Sequence, residues 1–249
     1  MRKVSTLLFL ILFAFSLKSQ QDTTRTWENY FDLEINARYG IPLDFFERNV
    51  QENLIGLGGS AMARINSNPS VFVGVDVYNF RFEGTNAEYF FDYYGYLEPF
   101  TARTRTSLTA LHLKARVGLP GYRKTFPFIE AFLGPRYLVS KTTIIEEFDD
   151  NTEEQIDKFI HSSDWLLSYG GSIGVSKRIW YMDEADLMAT FKVSYNPGTA
   201  GSYYVRDEDA DLGLDPIDPY VEKFSTTNLL LVELGVTFAF GNYETKSNQ

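Results

Sequence analysis

Hydrophobic and polar residues alternate with a period of two along most of the chain after residue 30. In YFDLEINARYG, residues 30–40, the odd positions from Phe31 to Tyr39 are apolar and the even positions are charged or polar. Seven further segments alternate in the same way, at residues 54–66, 71–80, 107–119, 126–139, 165–178, 187–196 and 228–240. Successive side chains of a strand point to opposite faces, so the pattern predicts eight strands with one apolar and one polar face each.

The lengths of the strands and of their connections predict the architecture. Each alternating run has about ten residues or a little more, which is the length of a tilted strand that crosses a bilayer. Short connections (NSNPS, PGYRKT and WYMDEAD) alternate with longer ones at roughly 41–53, 83–103, 141–163 and 197–226. This rhythm predicts an all-β fold, an eight-stranded antiparallel up-and-down transmembrane β-barrel over residues 28–241. A soluble lipocalin-like barrel has eight strands too, with its apolar face inward, and the alternation alone does not distinguish the two.

The N-terminus has the three parts of a secretory signal. Arg2 and Lys3 precede an uncharged apolar run, Thr6 to Leu17, and Ser19 and Gln20 follow it. Twelve residues of helix span only ~18 Å, against ~30 Å for a hydrocarbon core, so the run is too short for a membrane anchor. We expect a signal peptide at residues 1–20 and a short periplasmic segment at 21–27. The predicted signal peptide favours the transmembrane barrel over the soluble lipocalin-like barrel.

Aromatic residues are frequent, with 21 Phe and 16 Tyr. Seven of the aromatic residues belong to the apolar face of the predicted barrel and fall near its two ends. The expected outer belt consists of Tyr39, Tyr137, Trp165 and Tyr195, and the inner belt of Phe31, Phe238 and Phe240. Amphipathic rings prefer the interface between lipid and water, which makes two belts on one face typical of a membrane barrel.

The last alternating segment carries a resemblance. Glu233, Gly235, Phe238 and Phe240 resemble the C-terminal assembly signal of bacterial outer-membrane barrels, in which a polar residue and a glycine precede two alternating apolar residues. The mature chain is similar to the small outer-membrane β-barrel domain proteins common in Bacteroidota-type bacteria. The resemblance implies a cell outer-membrane location, assembly by the barrel-assembly machinery, contact with outer-membrane lipid and lipopolysaccharide, and a monomer. Residues 242–249 would form a periplasmic tail, whereas many such barrels stop at the aromatic residue.

Composition narrows the possible chemistry. A formal net charge of -10 argues against nucleic acid as a partner, because phosphate binding needs a basic face. Cysteine is absent, so disulfides, thiolate metal sites and a cysteine nucleophile are excluded. No motif predicts a catalytic, cofactor-binding or metal site, and no cofactor is expected.

The polar face defines the expected lumen, which side chains of an eight-stranded barrel can just fill. Its charged members are Asp32, Glu34, Asp76, Glu130, Glu233, Arg38, Arg64, Lys114, Arg116, Arg136, Arg178 and Lys192. Buried ions need partners, so we expect Arg side chains to bridge carboxylates of neighbouring strands and to leave no continuous water channel. The small residues Gly170, Ser172, Gly174 and Ser176 would leave room for these long side chains. Glu130 and Arg136 are the most secure inward positions.

The two histidines receive non-catalytic interpretations. His112 falls on the polar face with Lys114 and Arg116, where a packed or hydrogen-bonded lumen histidine is expected. His161 lies beside Ser162, Ser163 and Asp164 and is assigned to a solvated loop. A Ser, a His and an Asp that are adjacent in sequence do not form a triad, because triads are assembled in space.

Three long connections have unusual compositions. The segment RDEDADLGLDPIDP, residues 206–219, places acids at alternate positions but departs from a calcium loop. A solvated acidic loop is therefore favoured over Ca²⁺ binding at 207–218. The segment EEFDDNTEEQID, residues 146–157, is acidic as well. The aromatic YFFDYYGY, residues 89–96, is interpreted as an extension of strands three and four rather than as a binding surface.

Three functions are compatible with these features. The first is a non-enzymatic structural or surface-interaction protein with a filled lumen and acidic surface loops. The second is a narrow channel or carrier for a small solute or lipid. The third is a lipid A-modifying enzyme, since some eight-stranded barrels have such an activity with a His and Ser pair.

Overall fold

The computed structural model describes residues 25–50, 53–67, 70–93, 96–119, 125–147, 153–181, 185–206 and 220–245. They form ten strands and one short helix, α1 (Asp44–Asn49). The strands are β1 (Arg25–Pro42), β2 (Leu54–Ser67), β3 (Ser70–Tyr93), β4 (Tyr96–Gly118), β5 (Thr125–Glu147), β6 (Glu153–Tyr181), β7 (Ala185–Asn196), β8 (Ala200–Arg206), β9 (Tyr220–Thr226) and β10 (Leu229–Thr245). Within the described residues, no helix has the length and apolar character that a membrane crossing requires.

Eight of the strands close into a barrel. Each pairs antiparallel with its neighbours in the ring order β1, β2, β3, β4, β5, β6, β7, β10, and β10 returns to β1. The closing pair runs from Arg25 opposite Thr245 to Pro42 opposite Leu229, so strand pairing continues beyond the predicted barrel limits at 28 and 241. Each predicted alternating segment lies within one strand of this ring, apart from Leu119 and Asn228 at the ends of two segments. The predicted eight-stranded up-and-down barrel is confirmed.

The apolar face points outward. Ile35, Leu113 and Ile173 are 67%, 70% and 67% exposed. Glu34 and Lys114, which alternate with two of them, are buried inside the ring. A soluble barrel would bury its apolar face instead, so the lipocalin-like alternative is wrong. Polar residues inside and an apolar band outside are the arrangement of a transmembrane barrel.

The predicted aromatic belts lie on this outward face. Trp165 is 75% exposed, and its ring centroid lies 4.8 Å from that of Tyr137. Tyr39 and Tyr195 are exposed as well. At the opposite end, the rings of Phe31 and Phe240 lie 6.0 Å apart, and Phe238 is partly exposed. Both belts therefore occupy the surface that lipid would contact.

Two of the predicted long connections are largely strands. β3 and β4 remain paired as far as Tyr93 opposite Tyr96, which confirms the interpretation of 89–96 as a strand extension. β5 and β6 remain paired as far as Glu147 opposite Glu153. The barrel wall is therefore tall on the side that these four strands form. It rises at the end opposite the termini, which we call the loop end.

The other two long connections hold structure that the alternation did not predict. Helix α1 lies in the connection 41–53, and an antiparallel hairpin, β8–β9, lies in the connection 197–226. Strand β8 contacts β3, β4, β5 and β6. A seven-residue strand is short, and β8 packs inside the ring rather than extending it, so the hairpin lacks the long two-faced alternation of a wall strand. Both elements position side chains at the loop end of the lumen.

Candidate functional site in the barrel lumen

Three neighbouring strands place a charged trio side by side. Arg38 on β1 lies opposite Glu233 on β10, which lies opposite Lys192 on β7. Glu233 Oε2 lies 3.1 Å from Arg38 Nε and 3.4 Å from Lys192 Nζ. Its other oxygen accepts a 2.6 Å hydrogen bond from Ser194 Oγ. The strand register thus pairs one buried carboxylate with two cations.

Arg116 joins both sides of the lumen. Its Nη2 lies 2.7 Å from Oε1 of Glu130 on the next strand and 3.0 Å from Oε2 of Glu34 across the barrel. Its Nη1 lies 3.2 Å from Oδ2 of Asp32. The guanidinium also lies 4.2 Å from the centre of the Phe128 ring. The planar fork of an arginine allows it to serve several carboxylates at once.

Asp76 is the second centre of this network. Both of its oxygens accept from Arg38, at 2.6 and 3.0 Å, so the pair is bidentate. Lys114 Nζ lies 3.1 Å from Asp76 Oδ1 and 3.6 Å from Glu130 Oε2. Lys192 Nζ donates to Glu34 at 2.8 Å and completes the connection to Arg116. We call these residues the ion-pair network: Asp32, Glu34, Arg38, Asp76, Lys114, Arg116, Glu130, Lys192 and Glu233. All are buried, so the predicted internal network is confirmed.

The network extends beyond the predicted neighbouring strands. Arg116 and Glu130 are neighbours, as expected, but Arg38 reaches Asp76 past the intervening strand β2. Glycine makes this reach feasible, because a Cβ on Gly58 would lie 2.6 Å from Arg38 Nε. The role of Gly58 was missed by sequence reasoning, although its place on the polar face of β2 is a signal that could have indicated it.

The small residues of β6 make room for phenyl rings as well as for a charged side chain. A Cβ on Gly170 would overlap the carbonyl oxygen of Tyr195 and lie 2.8 Å from the ring of Phe132. A Cβ on Gly174 would overlap the ring of Phe128 and lie 2.8 Å from Lys192 Cβ, so Gly174 leaves room for Lys192, as predicted. Ser172 donates to Glu130 Oε2 at 2.7 Å.

Arg136 is buried among neutral oxygen atoms. Its Nη1 donates to the carbonyl oxygen of Thr227 and, at 2.7 Å, to that residue's hydroxyl. Its Nη2 donates to Asn196 Oδ1 at 2.7 Å and lies 3.4 Å from the hydroxyl of Tyr78. The expectation that each arginine bridges carboxylates is wrong here within the described residues, because Thr227, between β9 and β10, reaches the guanidinium instead. Arg136 therefore links the base of the β8–β9 hairpin to the barrel wall.

Two other predicted lumen arginines lie toward the end with the termini. Arg64 donates to the carbonyl oxygens of Asn66 and Ser67 at 3.1 Å each, beside the β2–β3 turn. Arg178 pairs with buried Asp186 on β7, and its guanidinium lies 5.4 Å from the centre of the Phe126 ring. Both arginines stabilise the end of the barrel that carries the chain termini.

A serine, a histidine and an aspartate lie in a row inside the lumen. His112 Nε2 and Ser168 Oγ are 2.6 Å apart, and His112 Nδ1 lies 4.0 Å from Asp76 Oδ2. The ring of His112 stacks on Phe132, with centroids 4.9 Å apart, and Ser168 is fully buried. Asp76 is already occupied by Arg38 and Lys114. His112 is thus a packed and hydrogen-bonded lumen histidine, as predicted.

His161 is not in a solvated loop, and that prediction is wrong. It lies within β6, is half-buried, and its Nε2 lies 2.8 Å from Thr142 Oγ1 of β5. The extension of β5 and β6 carries it up the inner wall, where its ring lies 5.9 Å from that of Tyr204.

Above the ion-pair network, apolar side chains close the loop end of the lumen. We call this group the apolar plug: Phe46, Val50, Leu54, Tyr78, Phe80, Phe82, Leu108, Ala110, Leu138, Leu166, Tyr203, Val205, Leu229 and Leu231. Helix α1 contributes Phe46 and the hairpin contributes Tyr203, whose ring centroids are 5.4 Å apart in an edge-to-face contact. The Tyr203 hydroxyl also bonds Asn49 at 3.0 Å and Ser225 at 2.7 Å.

Polar contacts hold the hairpin against the inner wall. Thr106 donates to the carbonyl of Tyr204 at 3.0 Å, and the Tyr204 amide donates to Ser140 at 3.1 Å. The Ser202 amide donates to Asp164 at 2.6 Å. Gly201 lies so close to Leu166 that little space separates hairpin from wall. The β8–β9 hairpin is therefore packed inside the lumen and hydrogen-bonded to its wall.

One small cavity lies where the ion-pair network meets the apolar plug. A cavity of about 10 Å³ lies among Arg38, Asp76, His112, Lys114 and Glu233. That volume suffices for about one water molecule. Among the described residues, no group of three His, Cys, Asp or Glu side chains forms a metal site. The predicted acidic segment 207–218 and residues 148–152 of the acidic segment 146–157 lie outside the described residues.

Three solved structures of bacterial proteins are among those similar to this chain. They are Neisserial surface protein A (14% identity, TM-score 0.40, 84% of this chain and 96% of that chain), Ail of Yersinia pestis in complex with the heparin analogue sucrose octasulfate (9%, 0.36, 86% and 99%), and the N-terminal β-barrel domain of Pseudomonas aeruginosa OprF (13%, 0.33, 86% and 100%). No protein-family model matches the sequence, and a search of curated proteins finds no match. The Bacteroidota-type resemblance stays a prediction.

Proposed function

We propose that this protein resides in the outer membrane as a monomer, contacts outer-membrane lipid, and has a non-enzymatic structural or surface-interaction role. One observation carries the proposal: two successive layers fill the lumen, the ion-pair network below and the apolar plug above. A barrel filled in this way offers its partners only its outer wall and the surface at its loop end.

The energetics of the network oppose a conducting pore. A passing ion would have to displace Arg116 or Arg38 from several carboxylates inside a wall that excludes water, and breaking such buried pairs is strongly destabilising. It would then meet the buried leucine and phenylalanine side chains of the plug, which offer no polar partner. These contacts of the described residues support a closed lumen over a narrow channel.

Planar-bilayer recordings test the closed lumen. Purified protein that shows the mobility shift of a folded barrel between unboiled and boiled samples should insert and give no stable current above that of protein-free detergent. Large, stable single-channel currents from the wild type would contradict the proposal.

The enzymatic alternative has a separate test. Lipid A from a deletion strain should give the same mass spectrum as lipid A from strains complemented with wild type or with Ser168→Ala. Ser168→Ala removes the hydroxyl that contacts His112 and is the matched variant. A lipid A species that depends on wild type and disappears with Ser168→Ala would overturn the non-enzymatic role.

A further inference from the structure

Five cations share one patch of the outward wall near the loop end, although the chain as a whole is acidic, with a net charge of -10. We call them the basic stripe: Arg81 on β3, Arg103 and Arg105 on β4, Lys141 on β5 and Lys158 on β6. Their strands are consecutive in the ring. Net charge alone would have argued against any such patch.

The strand register brings the stripe together. Arg105 lies directly opposite Lys141, and Thr143 lies between Arg103 and Lys158 in the paired strands. Arg81 lies opposite Ser107, two positions from Arg105. The alternate residues Thr106 and Ser140 are fully buried on the inner side, so the stripe faces outward. In agreement with this proximity, partial burial and the charges of Arg103 and Arg81 lower the pKa of Arg105.

Three members of the stripe have no acidic partner within the described part of the chain. Arg81, Arg105 and Lys141 make no ion pair there. In the lumen, by contrast, Arg116 has three carboxylate partners. Adjacent like charges repel each other, so a group of this kind is stabilised when anions from outside the chain approach it.

The height of the stripe indicates which anions these are. Lys141 lies four residues beyond Tyr137 on the same face of β5, and Tyr137 packs against Trp165 in the aromatic belt. Four residues of strand span about 13 Å, and with a tilt of about 40° this is about 10 Å along the barrel axis. Aromatic belts lie at the border of the hydrocarbon core. The stripe therefore stands about 10 Å above that border, at the level of lipid headgroups.

We propose that the basic stripe binds the phosphate groups of phosphorylated lipid in the outer leaflet. Each cation near a charged membrane surface strengthens binding about fivefold, so Arg81, Arg105 and Lys141 together contribute on the order of 100-fold. The proposal rests on the outer-membrane placement proposed above and names the class of lipid that surrounds the tall side of the barrel.

The test compares two variants of equal charge. Arg81→Gln/Arg105→Gln/Lys141→Gln neutralises three members of the stripe, and Arg48→Gln/Lys177→Gln/Lys223→Gln removes three cations elsewhere. Both are purified in a neutral detergent, shown to be folded by heat-dependent gel mobility, and titrated with bis-phosphorylated lipid A while native mass spectrometry counts bound lipid. Dephosphorylated lipid A and inorganic phosphate serve as the comparison ligands.

Wild type and the control variant should bind bis-phosphorylated lipid A alike, and the stripe variant on the order of 100-fold more weakly. Binding should fall with added salt, since exposed charges are screened. Equal binding by the two variants, equal binding of dephosphorylated lipid A, or tight retention of inorganic phosphate alone would overturn the proposal. None of these outcomes affects the closed lumen, which is tested by conductance.

Discussion

Removing the carboxylate of Glu130 should destabilise the folded barrel by about 3 kcal/mol. Glu130 accepts from Arg116 Nε at 2.8 Å and from Ser172 at 2.7 Å, and it lies 3.6 Å from Lys114 Nζ. Breaking a buried ion pair by deleting one partner costs about 3–5 kcal/mol. The smaller energy of this range applies here, because Arg116 retains its ion pairs with Asp32 and Glu34 when Glu130 is replaced by Ala.

Urea titration of the barrel in lipid vesicles measures this loss, with gel mobility of unboiled samples reporting the folded fraction. Glu130→Gln keeps the side-chain shape and one acceptor oxygen, so its loss should be smaller than that of Glu130→Ala. Glu222→Ala removes an exposed carboxylate from β9 and should change stability by no more than about 0.5 kcal/mol. Equal urea midpoints for Glu130→Ala and Glu222→Ala would refute the energetic role of the network.

Three further predictions concern other parts of the lumen and wall. Gly58→Ala should cost about 1–3 kcal/mol in the same titration, because its Cβ would lie 2.6 Å from Arg38 Nε; an unchanged midpoint would contradict this. Arg136→Met should loosen residues 198–206 and 220–228, seen as faster amide exchange there, and unaltered exchange would contradict the link through Thr227. Phe238→Ala/Phe240→Ala should lower the amount of folded barrel without altering export across the inner membrane, and undiminished outer-membrane levels would refute it.

The wall of the barrel could be predicted from the sequence because it depends on a local rule. Each strand from β1 to β7, and β10, carries an alternation that fixes which residues share a face. Within each strand, the even or odd position of a residue decides whether its side chain points into the lumen or outward. Asp76, Arg116 and Glu130 are buried in the lumen, as their positions in the alternation predict. The inward direction of the polar face needed the additional evidence of export and aromatic belts.

The partners of the inward charges depend on the strand register and on the positions of the loops, and the alternation of residues predicts neither. Arg38 and Asp76 meet past β2 because the register places Gly58 between them, opposite Asn36 on β1, a relation that alternation alone does not contain. Arg136 lacks a carboxylate because a loop carbonyl, that of Thr227, reaches it. The hairpin was missed since it packs within the lumen, and His161 was misplaced since β6 continues far beyond the alternating segment.

Cysteine labelling of the barrel in liposomes tests most directly whether lipid covers the outward apolar face. The chain has no native cysteine, so single substitutions are unambiguous reporters. Leu113→Cys and Ile173→Cys lie on the wall, at residues 70% and 67% exposed, and Phe224→Cys and Phe45→Cys lie at the loop end, at residues 71% and 62% exposed. A membrane-impermeant maleimide should label the loop-end cysteines rapidly and the wall cysteines only after the bilayer is dissolved. Equal labelling of all four in intact liposomes would contradict the transmembrane barrel.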